Sequence, residues 1–150
     1  MKVIILDSSP LSLLTHRVGV PTGDACRDWL AIKRSNGSRF LLPEIVDYEL
    51  RRELLRLGKS SSLRRLDDLV TNGFVDFIPI NSTAIGMAAQ LWATSRRAGL
   101  PTADRHALDI DVILCAQGLT SGFDPAEMIV ATSNVRHLSQ FIAAAIWSSI

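Results

Sequence analysis

Val3-Ile4-Ile5-Leu6-Asp7-Ser8-Ser9-Pro10 is the stretch that decides the fold. Its apolar run does not alternate with polar residues, is rich in β-branched side chains, and stops at an aspartate. An uninterrupted run of that kind fits a strand buried on both faces, as the strands of a parallel sheet are. Ligands of such sheets bind beyond the carboxyl ends of the strands. Asp7, with Ser8 and Ser9 behind it, therefore stands where chemistry is expected. An ordinary helix N-cap or turn aspartate would suit the same position.

Working outward, the pattern alternates short strands with helical periodicities. Leu11 to Val18 reads as a loop or short helix, and Gly19 with Pro21-Thr22-Gly23 as a break. Asp24 is placed to cap a helix over Ala25 to Arg34. Arg39 to Leu42 reads as a second strand, ended by Pro43, and Ile45, Tyr48, Leu50, Leu54, Leu55 and Leu57 mark the apolar side of a helix up to Gly58. A helix over Leu63 to Thr71, a strand over Phe74 to Pro79, a helix over Thr83 to Ala98 and a loop at Leu100-Pro101-Thr102 follow. The chain then reads as a helix over Leu108 to Gln117, a strand over Met128 to Thr132, and a terminal helix or strand over Phe141 to Trp147. The order β-α-β-α-α-β-α-α-β, with connections long enough for helical crossovers, predicts an α/β fold with a mostly parallel sheet covered on both faces. Neither a repeat nor a low-complexity stretch divides it, so residues 1–150 are expected to form one domain.

Composition bounds the function. Apolar residues make up 47% of the 150-residue chain and charged residues 21%, which excludes a disordered polymer. Lys+Arg at 16 against Asp+Glu at 15 excludes a strongly basic nucleic-acid wrapper, though not a local basic patch. Cys26 and Cys115 form neither a metal-ligand spacing nor a disulfide framework. The N-terminus lacks the pattern of an export signal, and the late apolar stretch Phe141 to Ile150 is too short to span a membrane. A cytoplasmic protein that does not enter the membrane is expected. Gly-rich phosphate loops and a Gly-x-Ser-x-Gly nucleophile are both missing from the sequence.

Three further groups join Asp7. Pro43-Glu44-Ile45-Val46-Asp47-Tyr48-Glu49-Leu50-Arg51-Arg52-Glu53 is an acidic helix in which Tyr48 and Leu50 are expected to pack inward beside Glu49. Taken alone, it is also an ordinary solvated helix with charge pairs. The basic run Arg51, Arg52, Arg56, Lys59, Arg64 and Arg65 suits either a solvated face or phosphate contacts. Asp111 opens the apolar run Val112 to Ala116, and a carboxylate there needs a partner, either a backbone N–H at the helix start or a metal ion. Finally, Ile129-Val130-Ala131 leads into Thr132-Ser133-Asn134-Val135-Arg136-His137, a strand ending in small hydrogen-bonding residues. Oxygen ligands of this kind suit Mg²⁺ or Mn²⁺, and such ions are the machinery of phosphodiester hydrolysis.

In this order the four motifs resemble the PIN-domain family, and within it the VapC-like toxin ribonucleases. The matching segments are Ile4-Ile5-Leu6-Asp7-Ser8-Ser9, Pro43 to Arg52, Asp111 to Ala116, and Thr132-Ser133-Asn134-Val135-Arg136-His137. The resemblance implies a three-layer α/β/α sandwich and divalent-metal-dependent cleavage of RNA. It also implies a cognate antitoxin and, often, a homodimer. Asp7, Glu49 and Asp111 carry over as catalytic metal ligands for Mg²⁺ or Mn²⁺. Thr132 and Asn134 carry over as residues that orient water or an acid, with Ser8, Ser133 and His137 in support and Arg52 and Arg136 as contacts to RNA. The chain departs from the pattern at His137, where the family's last acid falls. A catalytically weak or inactive module that binds nucleic acid or protein is the alternative, and a small phosphatase using Asp7 ranks behind it. Asp104 and Asp109 are reserve acids. Met87 and Trp92 are expected in the core, His16 and His106 in loop roles, and Arg96 and Arg97 at a solvated helix end.

Overall fold

The computed structural model describes residues 2–99 and 105–150, and of residues 105–107 only the backbone. Asp104, the Leu100-Pro101-Thr102 loop and the His106 side chain lie outside the described residues. The apolar run forms β1 (Val3–Leu6), every residue of it buried. Its burial follows from its neighbours. β1 lies at the centre of a five-stranded sheet, parallel to β2 (Arg39–Pro43) on one side and to β4 (Met128–Ala131) on the other. β3 (Asp76–Ile78) and β5 (Ala144–Ala145) complete the order β3-β2-β1-β4-β5, and every pairing is parallel. Strands joined by crossovers need helices, and the chain supplies α1 (Ser8–Leu14), α2 (Pro21–Ser35), α3 (Glu44–Arg56), α4 (Ser60–Thr71), α5 (Ser82–Arg97), α6 (Arg105–Leu119) and the short α7 (Val135–Leu138). The result is a PIN-like α/β/α sandwich.

Several boundaries move for identifiable reasons. α2 begins at Pro21 rather than after Asp24, because proline at the first helical position comes with its φ already fixed. Asp24 sits inside the first turn instead, accepting the Gly19 N–H and pairing with Arg27. α6 begins at Arg105, so Asp111 stands well inside the helix and not at its mouth. The Phe141 to Trp147 stretch forms neither a helix nor a long strand. It contributes the two-residue β5, which pairs Ala144 with Val130 and Ala145 with Ala131.

Two packing details position the helices over the carboxyl end of the sheet. On α3 the buried stripe is Ile45, Val46, Leu50 and Leu54, which leaves Tyr48, Leu55 and Leu57 exposed, contrary to the inward packing expected for Tyr48. On α6, a Cβ added at Gly118 would come within 2.5 Å of Ile5 Cδ1 in β1. The missing side chain therefore lets α6 lie close against the central strand. Asp111, two helical turns earlier, shares that face.

Candidate metal centre

The chain passes from β1 out to β2 and β3, then returns to the other side of β1 as β4. The order of strands thus reverses between β1 and β4, and ligands of open α/β sheets bind at such a switch point. Asp7 follows β1 and Thr132 follows β4, so these two residues face each other across it. The Asp7 N–H donates to the Ala131 carbonyl at 3.0 Å, extending the ladder by one residue. One Asp7 carboxylate oxygen accepts the Ser8 N–H at 2.7 Å, and the other accepts the Thr132 hydroxyl at 2.6 Å. Asp7 is thus both the N-cap of α1 and part of the crevice. The Thr132 side chain is fully buried, and its oxygen in turn accepts the Asn134 N–H at 2.8 Å. The Asn134 side-chain amide meets His137 Nδ1 at 3.0 Å, and the Ser133 N–H donates to the Ser9 hydroxyl at 3.0 Å. The Thr-Ser-Asn turn is thereby tied to α1 and aims the Thr132 hydroxyl at Asp7.

Asp111 is only 7% exposed. Inside α6 the backbone N–H groups are committed to the helix, so the N-cap role open to it at a helix mouth is lost. Burial, followed by the negative charges of Asp7 and Glu49, pushes its carboxyl up to about 7. The Asp111 carboxyl on α6 therefore lies within electrostatic reach of Asp7, at the end of β1, and of Glu49 on α3. Among the described residues no ion pair reaches any of them. Nor are any three His, Cys, Asp or Glu side chains, among the described residues, close enough together to hold an ion jointly. Asp7 and Glu49 act on Asp111 through their charge. Chemically the set fits a hard divalent cation, because Asp7, Glu49 and Asp111 offer only oxygen. Cys115, one turn after Asp111 and fully buried, supplies no thiolate. Burial, reinforced by the charges of Asp111 and Asp7, raises its pKa far above the ordinary thiol value.

Beside the acids a groove of about 420 Å³ runs between α1 and α3, lined by Ser8, Ser9, Ser12, Glu49, Arg52 and Glu53. Ser8, Glu49 and Arg52 thus meet at one place. Arg136 is exposed on α7 and does not line this groove. Asp109 is exposed on another face of α6, beside Trp92 and Ile85 of α5. Trp92 is 38% exposed there, so it is not the core residue the periodicity indicates, whereas Met87 is partly buried against Ala88, Leu108, Val112 and Ala116. His16 lies in the connection between α1 and α2. Much of the basic run is spent internally: Arg51 pairs with Asp47 and Asp67, Arg56 with Glu53, and Arg65 donates to the Thr15 carbonyl.

Gln117 is a positioning residue that the sequence reading passes over. It is 1% exposed, its Oε1 accepts the Ile45 N–H at 3.1 Å, and its Nε2 donates to the Ile78 carbonyl at 2.6 Å. It pins the start of α3, which carries Glu49, to α6, which carries Asp111. An amide at the end of a continuous apolar run is the signal for it, since a buried amide must find partners.

No protein-family model matches the chain, and no curated protein matches it in sequence. Solved structures do match in shape. A chain of VapBC2 from Rickettsia felis, in a complex bound to a DNA fragment from its promoter, superposes with a TM-score of 0.69 at 11% identity, over 97% of this chain and 98% of that one. A chain of VapBC-1 from nontypeable Haemophilus influenzae gives 0.66 at 16% identity over 97% and 98%. A chain of FitAcB from Neisseria gonorrhoeae gives 0.67 at 16% identity over 98% and 99%. Identities this low speak for architecture alone, and the architecture that the four motifs imply is the one found: the chain has a VapC-like PIN-domain fold.

Proposed function

We propose that this protein is a divalent-metal-dependent endoribonuclease and the toxin component of a toxin–antitoxin pair. The observation that carries the proposal is that Asp7 and Asp111 are buried at the switch point of the sheet, with the Glu49 carboxylate within electrostatic reach of Asp111. Mutual repulsion and burial make this arrangement costly, and a divalent cation would relieve both. Asp7, Glu49 and Asp111 would hold Mg²⁺ or Mn²⁺. When bound, the ion supplies charge stabilisation on the scissile phosphate and a more acidic water. The remaining steps belong to the chain. Thr132 fixes the Asp7 carboxylate through the 2.6 Å hydrogen bond, Asn134 fixes Thr132, and Arg52 offers a cation to the RNA backbone. Complexes named VapBC and FitAcB among the structural neighbours, one on promoter DNA, support a cognate antitoxin as partner. A homodimer and a cytoplasmic setting belong to the same reading.

The test is cleavage of total RNA by purified protein with Mn²⁺, with and without Asp7→Asn. Cleavage that needs Mn²⁺ and disappears in the variant is expected. A folded variant that cuts as fast as the parent defeats the assignment.

A further inference from the structure

Tyr48 and Arg52 lie one helical turn apart on the exposed side of α3 and flank Glu49, which lines the groove with Arg52. Tyr48 is 53% exposed, an unusual place for a large aromatic on a helix whose apolar stripe faces the other way. The Arg52 guanidinium carbon sits 5.1 Å from the centre of the Tyr48 ring. Arginines nearby are committed elsewhere: Arg51 is held by two aspartates, and Arg56 by Glu53. Among the described residues Arg52 has no carboxylate in ion-pair contact. Its guanidinium carbon sits over a ring, which leaves its N–H groups for a phosphate. Of the two acids on the groove wall, Glu49 belongs to the proposed metal site and Glu53 is offset by Arg56. Serines 8, 9 and 12 form the opposite wall, a polar and uncharged surface along which a backbone can run.

We propose that the Tyr48–Arg52 stack is a base platform: a single-stranded RNA follows the groove between α1 and α3, and the nucleobase next to the phosphate at the acidic centre stacks on this pair. The platform rests on the ribonuclease reading for its position beside a scissile phosphate. Stacking on aromatic rings and guanidinium planes is the general means by which proteins hold unpaired bases.

The test uses the full chain carrying Asp7→Asn and a mixed-sequence 12-nucleotide single-stranded RNA with 2-aminopurine at successive positions. The expected result is fluorescence quenching on binding, with affinity reduced roughly 5- to 100-fold by Tyr48→Ala and held within about twofold by Tyr48→Phe, since a phenyl ring stacks as a phenol does. Arg52→Lys, which keeps charge but loses the plane, should weaken binding as well. Affinity unchanged in Tyr48→Ala, no binding by the parent, or equal binding of the RNA in duplex form overturns the platform. Cleavage by the Asp7 protein with Mn²⁺ is scored separately, where Tyr48→Ala should raise KM and leave kcat. Cleavage that depends on Asp7 but not on Tyr48 removes the platform and spares the ribonuclease. Binding that depends on Tyr48, without cleavage, does the reverse.

Discussion

The two ends of the sheet treat acids in opposite ways. At the amino end, Asp76 on β3 is half exposed and meets Arg39 of β2, its Oδ2 lying 2.7 Å from the guanidinium. At the carboxyl end, Asp7 and Asp111 are buried with Glu49 nearby, and among the described residues no arginine or lysine pairs with any of them. The first arrangement is ordinary surface electrostatics. The second is one that folding alone does not favour, because burying like charges together costs free energy. The difference separates paired acids at one end of the sheet from acids at the other that are buried and, among the described residues, unpaired, and the proposed metal site would account for the second.

The same substitution at both ends breaks or confirms that contrast most sharply. Asp7→Asn should lower Mn²⁺-dependent RNA cleavage by at least about 100-fold, since the charge contacts that hold such ions are worth several kcal/mol. Asp76→Asn should leave it within about twofold. Equal losses from both variants, measured as initial rates, would mean that the carboxyl end is not special.

Next in size is the hydroxyl that holds Asp7. Thr132→Val keeps volume but leaves a buried carboxylate oxygen and the Asn134 N–H without their partner. Removing one buried and one partly buried hydrogen bond should cost roughly 2–3 kcal/mol, seen as a melting temperature about 5 °C or more lower. Activity should fall as well, and Thr132→Ser should recover most of both. A Val variant as stable and active as the parent would show that the turn after β4 does not position Asp7.

How much of this was legible in the residues follows from what each local pattern encodes. β1 and Asp7 could be read because a strand buried on both faces has one signature, and an acid that ends it sits at a carboxyl end wherever the strand falls in the sheet. The order of motifs then carried Glu49, Asp111 and Thr132. What stayed hidden depends on partners distant in sequence. Tyr48 falls between Ile45 and Leu50 in sequence yet lies outside the buried stripe, because α3 packs through Val46, Leu50 and Leu54. Asp111 reads as standing near the mouth of its helix because it heads the apolar run Val112 to Ala116, while α6 begins at Arg105, well before that run. Gln117 and Gly118 act through Ile45, Ile78 and Ile5, and helical periodicity does not announce any of these contacts.

The acidic end also makes a prediction about pH. Asp111 has a folded-state pKa of about 7, raised from 3.8. Its protonated form is therefore favoured by folding. That contribution is complete below the unfolded pKa and is lost as pH rises from about 4 through 7. Metal-free protein should lose stability across this window. Asp111→Asn should flatten the profile, with a gain on the order of 1 kcal/mol near pH 7.5 once solvent screening is allowed for. Added Mn²⁺ should stabilise the parent at high pH and have little effect on the variant. Matching pH profiles for the two metal-free proteins, followed by thermal melts, would show that Asp111 does not feel the other acids.

The smallest effect belongs to the amino end. Arg39 also lies 4.9 Å from the centre of the Phe123 ring, so replacing it removes a cation over an aromatic as well as the pair with Asp76. Both contacts are partly exposed, and each such contact contributes at most about 1 kcal/mol. Arg39→Met keeps the apolar stem against Phe123 and should cost only about 0.5–1 kcal/mol at low salt. The cost should shrink further in 1 M NaCl, where the Debye length is ~3 Å. A penalty of several kcal/mol that persists in high salt would mean that the amino end, too, carries a strained electrostatic arrangement. The contrast between the two ends would then describe two degrees of one design rather than a division between fold and function.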